Sequence, residues 1–406
     1  MATCILCGGA DPEVFLDLGQ TPLANKFLTA AELDRPEQHY PLRVAYCHAC
    51  GHVQLAEMVP PSAMFEDYLY ISSISQTLKT HLHELAGVVT DWRKFGPDDL
   101  VVDIGCNDGT LLEGFKARGV RILGVDPARN LAPLARDKGV PVEIAFFGET
   151  IGKSLRERHG PARAMTMTNA FPHIPALGDL LRGVDALLAD DGVFVIEAHY
   201  LLDMIEQVAF DTVYHEHVSY WALAPMMRLF ARFGLEIVRV ERLPIHHGQL
   251  RVFVQRVGRG QVDDTVKAVL EKERAAGIPG FASCQAFAQA AYRVRDDLQK
   301  FLAKATADGR TVAAYGAPAK GNTLLSFLGL NKDQVAWIAD RSPLKQGRFA
   351  PGSHLAVVPP ERILETMPDY LLVLAWNFID EIVEQQGEYR RRGGHFVLPL
   401  PEVKIL

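Results

Sequence analysis

The sequence predicts an α/β protein in three parts, and three observations predict it. Two C-x-x-C-G knuckles, Cys4-Ile5-Leu6-Cys7-Gly8 and Cys47-His48-Ala49-Cys50-Gly51, mark a small metal-held module at the N-terminus. Residues 101–109 run as an apolar strand into a glycine-bracketed turn, and Leu111, Leu112 and Phe115 then begin a helix-period pattern. Strand and helix patterns alternate from there on, which means a parallel sheet wrapped by helices. Residues 311–323 repeat strand, glycine turn and helix, which predicts a second, smaller Rossmann-like unit. The expected divisions are 1–75, 76–257 and 258–406.

Composition narrows the function classes. A chain of 406 residues is long enough for two or three separate cores. The net charge of −7, with no basic run, disfavours a nucleic-acid substrate. No apolar run reaches membrane-spanning length, and the first residues show no basic region followed by an apolar core, so a cytoplasmic protein without a membrane partner is expected. Four of the six cysteines fall in the knuckles and read as metal ligands in a reducing compartment.

In the N-terminal part, each knuckle turns on a glycine and can aim backbone amides at its thiolates. Together Cys4, Cys7, Cys47 and Cys50 supply the four sulfurs of a closed structural zinc site, with His48 and His52 as bystanders. Zinc would supply folding energy to a segment with little core of its own. After Pro60-Pro61, the aromatic run from Phe65 to Ser73 reads as a packed edge segment, and residues 75–95 as an amphipathic helix in which His81 and His83 have no convincing partners.

In the central part the strand candidates are residues 100–104, 121–125, 142–145, 164–168 and 193–197, followed by a helix over 226–233 and two close strands, 236–240 and 249–255. Gly105 lets the backbone approach a ligand closely, and the next helix offers unpaired amides. Asp126 ends the second strand, where an α/β fold holds a ribose diol. The turn Gly105-Cys106-Asn107-Asp108-Gly109 is not the dinucleotide fingerprint. Its spelling resembles the first motif of the class I S-adenosylmethionine (SAM) methyltransferases, and that resemblance selects SAM over a nicotinamide. Ligands bind beyond the carboxyl ends of such strands, so Gly105, Asn107, Asp108, Gly109, Asp126, Phe146, Phe147 and Asn169 should line one crevice. Phe146 and Phe147 either stack on adenine or form a core pair. Two loops carry candidate chemistry: His173, after the fourth strand, and Tyr214-His215-Glu216-His217. A phenol, imidazoles and a carboxylate this close suit proton transfer, since imidazole titrates near neutrality and a carboxylate can fix its tautomer.

In the C-terminal part, residues 263–274 and 283–305 read as helices leading to the second unit. Its turn, Gly316-Ala317-Pro318-Ala319-Lys320-Gly321, is not a P-loop, because the lysine precedes the second glycine. It still offers helix-terminal amides and one cation to a diphosphate. Further strands are expected at 335–339 and 370–374.

Taken in order, the knuckles, Tyr68-Leu69-Tyr70 with Ser72-Ser73, the Gly105 to Gly109 turn, His173-Ile174-Pro175, Tyr214-His215-Glu216-His217 and the C-terminal stretches resemble the C-methyltransferases of nucleotide-linked deoxy sugars. That family acts on a ketose carbon in antibiotic and surface-polysaccharide sugar pathways, and the resemblance spans essentially the whole chain. It implies a zinc domain, a seven-stranded SAM domain and a C-terminal Rossmann-like domain that helps bind the sugar nucleotide. SAM and structural Zn2+ are the implied cofactors, and a dTDP- or GDP-type nucleotide-diphosphate sugar the implied partner of a monomer. By the same resemblance Tyr68, His173, Tyr214, Glu216 and His217 form the active-site set; His217, Tyr214 and His173 are the candidate bases, and the mechanism expected takes His217, with Glu216 orienting it. Tyr70, Tyr315, Lys320, Arg341, Lys345 and Trp376 would contact substrate. One departure is His246-His247-Gly248-Gln249, where two adjacent glycines would be expected after the histidine; it bears on sugar or nucleotide preference. The expected reaction is methylation at C3 of a 4-keto-6-deoxy sugar through an enolate. The competing readings are sugar O-methylation and RNA base methylation beside a zinc module.

Overall fold

The computed structural model describes residues 3–245 and 248–406; His246 and His247, and with them the departure noted above, lie outside the described residues. Its backbone is organised by three sheets.

The first sheet is antiparallel. Strands β1 (Glu13–Thr21), β2 (Tyr40–Tyr46) and β3 (Val53–Leu55) are joined at the outer edge of β3 by a strand from the middle of the chain, Ser219–Tyr220, which is β9 in chain order. Alternation in β1, with Leu16 and Leu18 buried on either side of exposed Asp17, turns one face inward.

The second sheet holds β4 (Leu100–Ile104), β5 (Arg121–Val125), β6 (Val142–Glu143), β7 (Ala162–Thr168), β8 (Leu188–His199), β10 (Leu235–Leu243) and β11 (Gln249–Arg256), in the order β10-β11-β8-β7-β4-β5-β6. Strands β8 to β6 in that order run parallel, and the β10-β11 hairpin closes the sheet antiparallel. All five residues of β4 are buried, as a central strand covered on both faces requires. Helix Gln76–Arg93 covers one face. Ser75 caps it by accepting from the Leu78 amide at 3.2 Å, and Leu78, Leu82, Leu85 and Val89 point into the core, each leucine contributing about 2 kcal/mol of burial.

The third sheet, in the order β14-β13-β12-β15-β16-β17, comprises β12 (Val312–Tyr315), β13 (Ile338–Ala339), β14 (Val357–Val358), β15 (Tyr370–Val373), β16 (His395–Leu398) and β17 (Lys404–Ile405). It is parallel except for β17. Three of these strands, β14, β16 and β17, are not anticipated by the sequence, because runs of two to four residues carry almost no periodicity. The long helix Phe281–Ala307 binds this unit to the first sheet, with the Tyr292 hydroxyl 3.1 Å from the Asp17 amide.

The sequence also understates His81. Its Nε2 lies 2.9 Å from Glu197 Oε2, and Arg251 Nε donates to Glu197 Oε1 at 2.6 Å, a buried network linking the covering helix to β8 and β11. Among the described residues no helix is long and apolar enough to cross a membrane.

Candidate active site

The four knuckle sulfurs lie within 4.8 Å of one another, with Cys4 and Cys50, and Cys7 and Cys47, each 3.6 Å apart. A zinc ion with Zn–S bonds of about 2.3 Å puts tetrahedral sulfurs about 3.8 Å apart, so the donor set fits Zn2+ held by Cys4, Cys7, Cys47 and Cys50. Gly8 and Gly51 take φ of +75° and +73° to close the two turns. His48 pairs instead with Glu13 at 2.8 Å, and His52 is buried against Trp221.

The turn after β4 has the shape a SAM site needs. Gly105 has φ +74°, its amide donates to the Val125 carbonyl at 2.8 Å, and a Cβ there would stand 2.7 Å from Ala170 Cβ. Asp126 accepts from the Asn107 amide on one oxygen and the Ala128 amide on the other, both at 2.8 Å, and keeps lone pairs for a diol. The second α/β unit repeats this wiring: Gly316 has φ +85°, its amide reaches the Ala339 carbonyl at 2.7 Å, and Asp340 accepts from the Ala317 and Ser342 amides at 2.6 and 2.7 Å.

Gly105, Asn107, Asp126, Phe146, Phe147 and Asn169 line a cleft of about 740 Å³, within the range of small-molecule sites. Asp108 and Gly109 do not. Asp108 is fully buried and accepts from Lys138 Nζ, Thr110 Oγ1 and the Ser73 amide, and these bonds hold its carboxyl below the ordinary range against the pull of burial. Gly109, at φ +77°, makes room for Val140 and Ala135. The phenylalanines divide: Phe146 is 44% exposed at the cleft, whereas Phe147 packs over Gly183. Asn169 also accepts from Gln249 Nε2.

Residues 68–73 pair with no strand. They lie over the glycine turn, with Asn130 paired to both backbone groups of Tyr68 and Asn107 bridging the Ser72 amide and the Tyr70 carbonyl. Tyr68 and Tyr70 line the cleft.

Next to the turn the cleft gathers His173, His199, Tyr214 and His217. The His217 ring centroid lies 3.9 Å from Tyr214, 4.1 Å from His199 and 5.2 Å from His173, which is itself stacked on Phe65. Its Nδ1 lies 2.7 Å from the Thr212 carbonyl. A carbonyl only accepts, so Nδ1 carries the hydrogen and Nε2 the lone pair. Burial pushes His173 down to about 4, keeping it neutral, and leaves its Nε2 buried with no protein partner, an atom suited to a polar ligand. Glu216 turns away from His217: its oxygens accept from Asn25 Nδ2 at 2.7 Å and Tyr68 Oη at 2.8 Å, and burial raises its carboxyl to about 7. The expectation that Glu216 orients His217 is therefore corrected; the Thr212 carbonyl does so. Asn25, missed in the sequence, comes from the N-terminal part, and the only signal for it was its place in a Pro22-Leu23-Ala24-Asn25 turn.

Of the C-terminal candidates, Lys320 and Lys345 reach the cleft. Lys320 Nζ bonds Asn377 Oδ1 at 2.5 Å over the Trp376 ring, and burial lowers it to about 8. Lys345 Nζ bonds the Ala317 carbonyl at 2.8 Å. The other three lie elsewhere. Tyr315 is a core residue of the third sheet, Arg341 is 65% exposed beside Glu381, and Trp376 commits its indole N–H to Asp211 Oδ2 at 2.7 Å. Period-2 alternation sends Tyr315 to the far face of its strand, and Arg341 lies in an exposed turn just past β13.

The comparisons with known proteins follow the same three parts. A zinc binding domain family model matches residues 4–65, a methyltransferase domain model residues 74–240 and a C-methyltransferase C-terminal domain model residues 244–401. The chain is similar to C-methyltransferase NovU of Streptomyces niveus, 37% identical over 404 residues that cover 99% of this chain and 96% of that protein. It is more distantly similar to a ubiquinone biosynthesis O-methyltransferase of Aeromonas salmonicida, 23% identical over 175 residues, 38% of this chain and 71% of that one. Of these two the C-methyltransferase follows the chain through all three parts, and the chain belongs with it to the SAM-dependent C-methyltransferases.

Proposed function

We propose that the acceptor is a nucleotide-linked 4-keto-6-deoxy sugar, methylated at C3 through an enolate. The observation that carries this reading is the His217 Nδ1 contact with the Thr212 carbonyl at 2.7 Å, which presents a basic Nε2 in a cleft shared with the glycine turn. The C4 carbonyl acidifies the neighbouring carbon. Its C3–H bond breaks, the proton goes to His217 Nε2, and the electron pair moves into the carbonyl as an enolate. Tyr214 and neutral His173, with ring centroids 3.9 and 5.2 Å from His217, would hydrogen-bond the enolate oxygen as charge develops there. SAM, when bound, supplies an electrophilic methyl group on a sulfonium; Gly105, Asn107, Asp126, Phe146, Phe147 and Asn169 would hold it on the glycine-turn side of the cleft. Lys320 and Lys345, which the C-terminal unit contributes to the cleft lining, suit the diphosphate of the substrate, as cations held in place by Asn377 and the Ala317 carbonyl.

The test is hydrogen exchange in D2O with the methyl donor omitted, using dTDP- and GDP-linked 4-keto-6-deoxy sugars. Deuterium should enter C3 with the wild type and stay out with His217→Ala. Label at C5 would move attack to the other carbon beside the same carbonyl, and no label at either would remove the enolate from the account.

A further inference from the structure

The C-terminal unit touches more than the cleft. Asp211, a fully buried carboxylate that none of the assignments above uses, sits in the Phe210–Thr212 turn just before the Tyr214 to His217 loop. Two contacts from the C-terminal unit grip this turn: Trp376 Nε1 donates to Asp211 Oδ2 at 2.7 Å, and the Phe327 ring packs edge-on against Phe210 with centroids 5.4 Å apart. The residue after Asp211 is Thr212, whose carbonyl accepts from His217 Nδ1 at 2.7 Å. The chain of contacts therefore runs from Trp376 through Asp211 and the Thr212 carbonyl to the imidazole. Neither Asp211 nor Trp376 lines the cleft.

We infer that Asp211 and Trp376 are positioning residues, through which the C-terminal unit holds the tautomer and pose of His217. This rests on His217 being the base. A carboxylate buried this deeply is costly unless a donor satisfies it, and the indole N–H is a donor fixed by its own packing. Removing it frees the turn to relax, and the Thr212 carbonyl moves with the turn. Once that carbonyl moves, the contact that holds the hydrogen of His217 on Nδ1 is weakened.

The experiment compares wild type, His217→Ala, Trp376→Phe, Asp211→Leu and Asp211→Asn as full chains. It measures carbon–hydrogen exchange without methyl donor, steady-state kinetics, SAM affinity and 15N histidine spectra, with the His217 signals assigned by their loss in His217→Ala. Trp376→Phe and Asp211→Leu should lower exchange and kcat together by about 10- to 100-fold, since a small misplacement of a reacting group costs that much. SAM affinity should hold, and the His217 nitrogens should shift away from the pure Nδ1–H pattern. Asp211→Asn, which still accepts from the indole, should recover most of the exchange lost in Asp211→Leu. Wild-type exchange in Trp376→Phe, or lost exchange with unmoved His217 resonances, overturns the inference. Wild-type exchange in His217→Ala overturns the base assignment instead, so the two failures are told apart.

Discussion

Glu216 shows how far a residue's surroundings outweigh its neighbours in sequence. Beside His215 and His217 it reads as the partner of an imidazole, yet its bonds go to Asn25 and Tyr68, 191 and 148 positions away. Burial raises its carboxyl from an ordinary value of 4.5 to about 7. Between those values the folded chain keeps a proton that the unfolded chain has lost, so this group's contribution to stability falls as pH rises through the window and stays low above it. Glu216→Gln removes the ionisable group. It should be more stable than wild type at pH 8 by about 1–3 kcal/mol and no more stable at pH 4.5, while turnover falls because Tyr68 loses its charged acceptor. Urea unfolding at the two pH values decides this; a variant less stable than wild type at pH 8 contradicts it. His173 has the opposite sign, since burial lowers it from 6.5 to about 4 and the stability it contributes is lost as pH falls through that range.

At the scale of elements, strand, turn and helix after β4 were legible because glycine spacing and an apolar run report backbone geometry directly. Gly105→Ala should cost about 1–3 kcal/mol of strain and weaken SAM binding about tenfold or more, because the new methyl meets Ala170 in a left-handed turn. Gly119→Ala is the contrast: φ is +76° there as well, but no atom lies within 4 Å, so SAM affinity should hold. Calorimetric titration separates the two. Of the first sheet, the flanking cysteines and the loop or hairpin that their spacing requires around Pro22 to Pro41 were legible, and the rest was not. Its fourth strand, β9, pairs with β3 through Val53 opposite Tyr220 and Gln54 opposite Ser219, which ties the loop carrying His217 to the zinc module. Removing zinc with a chelator, or replacing Cys47 by Ser, should therefore abolish turnover while SAM still binds the second sheet. Metal analysis, SAM titration and turnover on one sample check it, and full turnover from zinc-free protein would contradict it.

For the molecule as a whole, the cleft is built by all three parts, and this is where sequence reading lost resolution. It found the two glycine turns and the proton-transfer loop, each a local pattern. It misplaced Tyr315, Arg341 and Trp376, because which face of a short strand or turn meets another unit is decided by packing. Lys320 and Arg341 put that difference to a kinetic test. Lys320→Ala, which deletes a buried cation on the cleft wall, should raise the KM for the sugar nucleotide about tenfold or more. Arg341→Ala, which deletes an exposed side chain paired to Glu381, should leave it within about twofold. Equal effects would put the diphosphate elsewhere. The path of β9 also sets a limit on biogenesis. A ribosome makes the cysteines first, but the open edge of β3 has no partner until residues 219 and 220 have been synthesised, so the nascent zinc module carries unpaired backbone until more than half the protein exists.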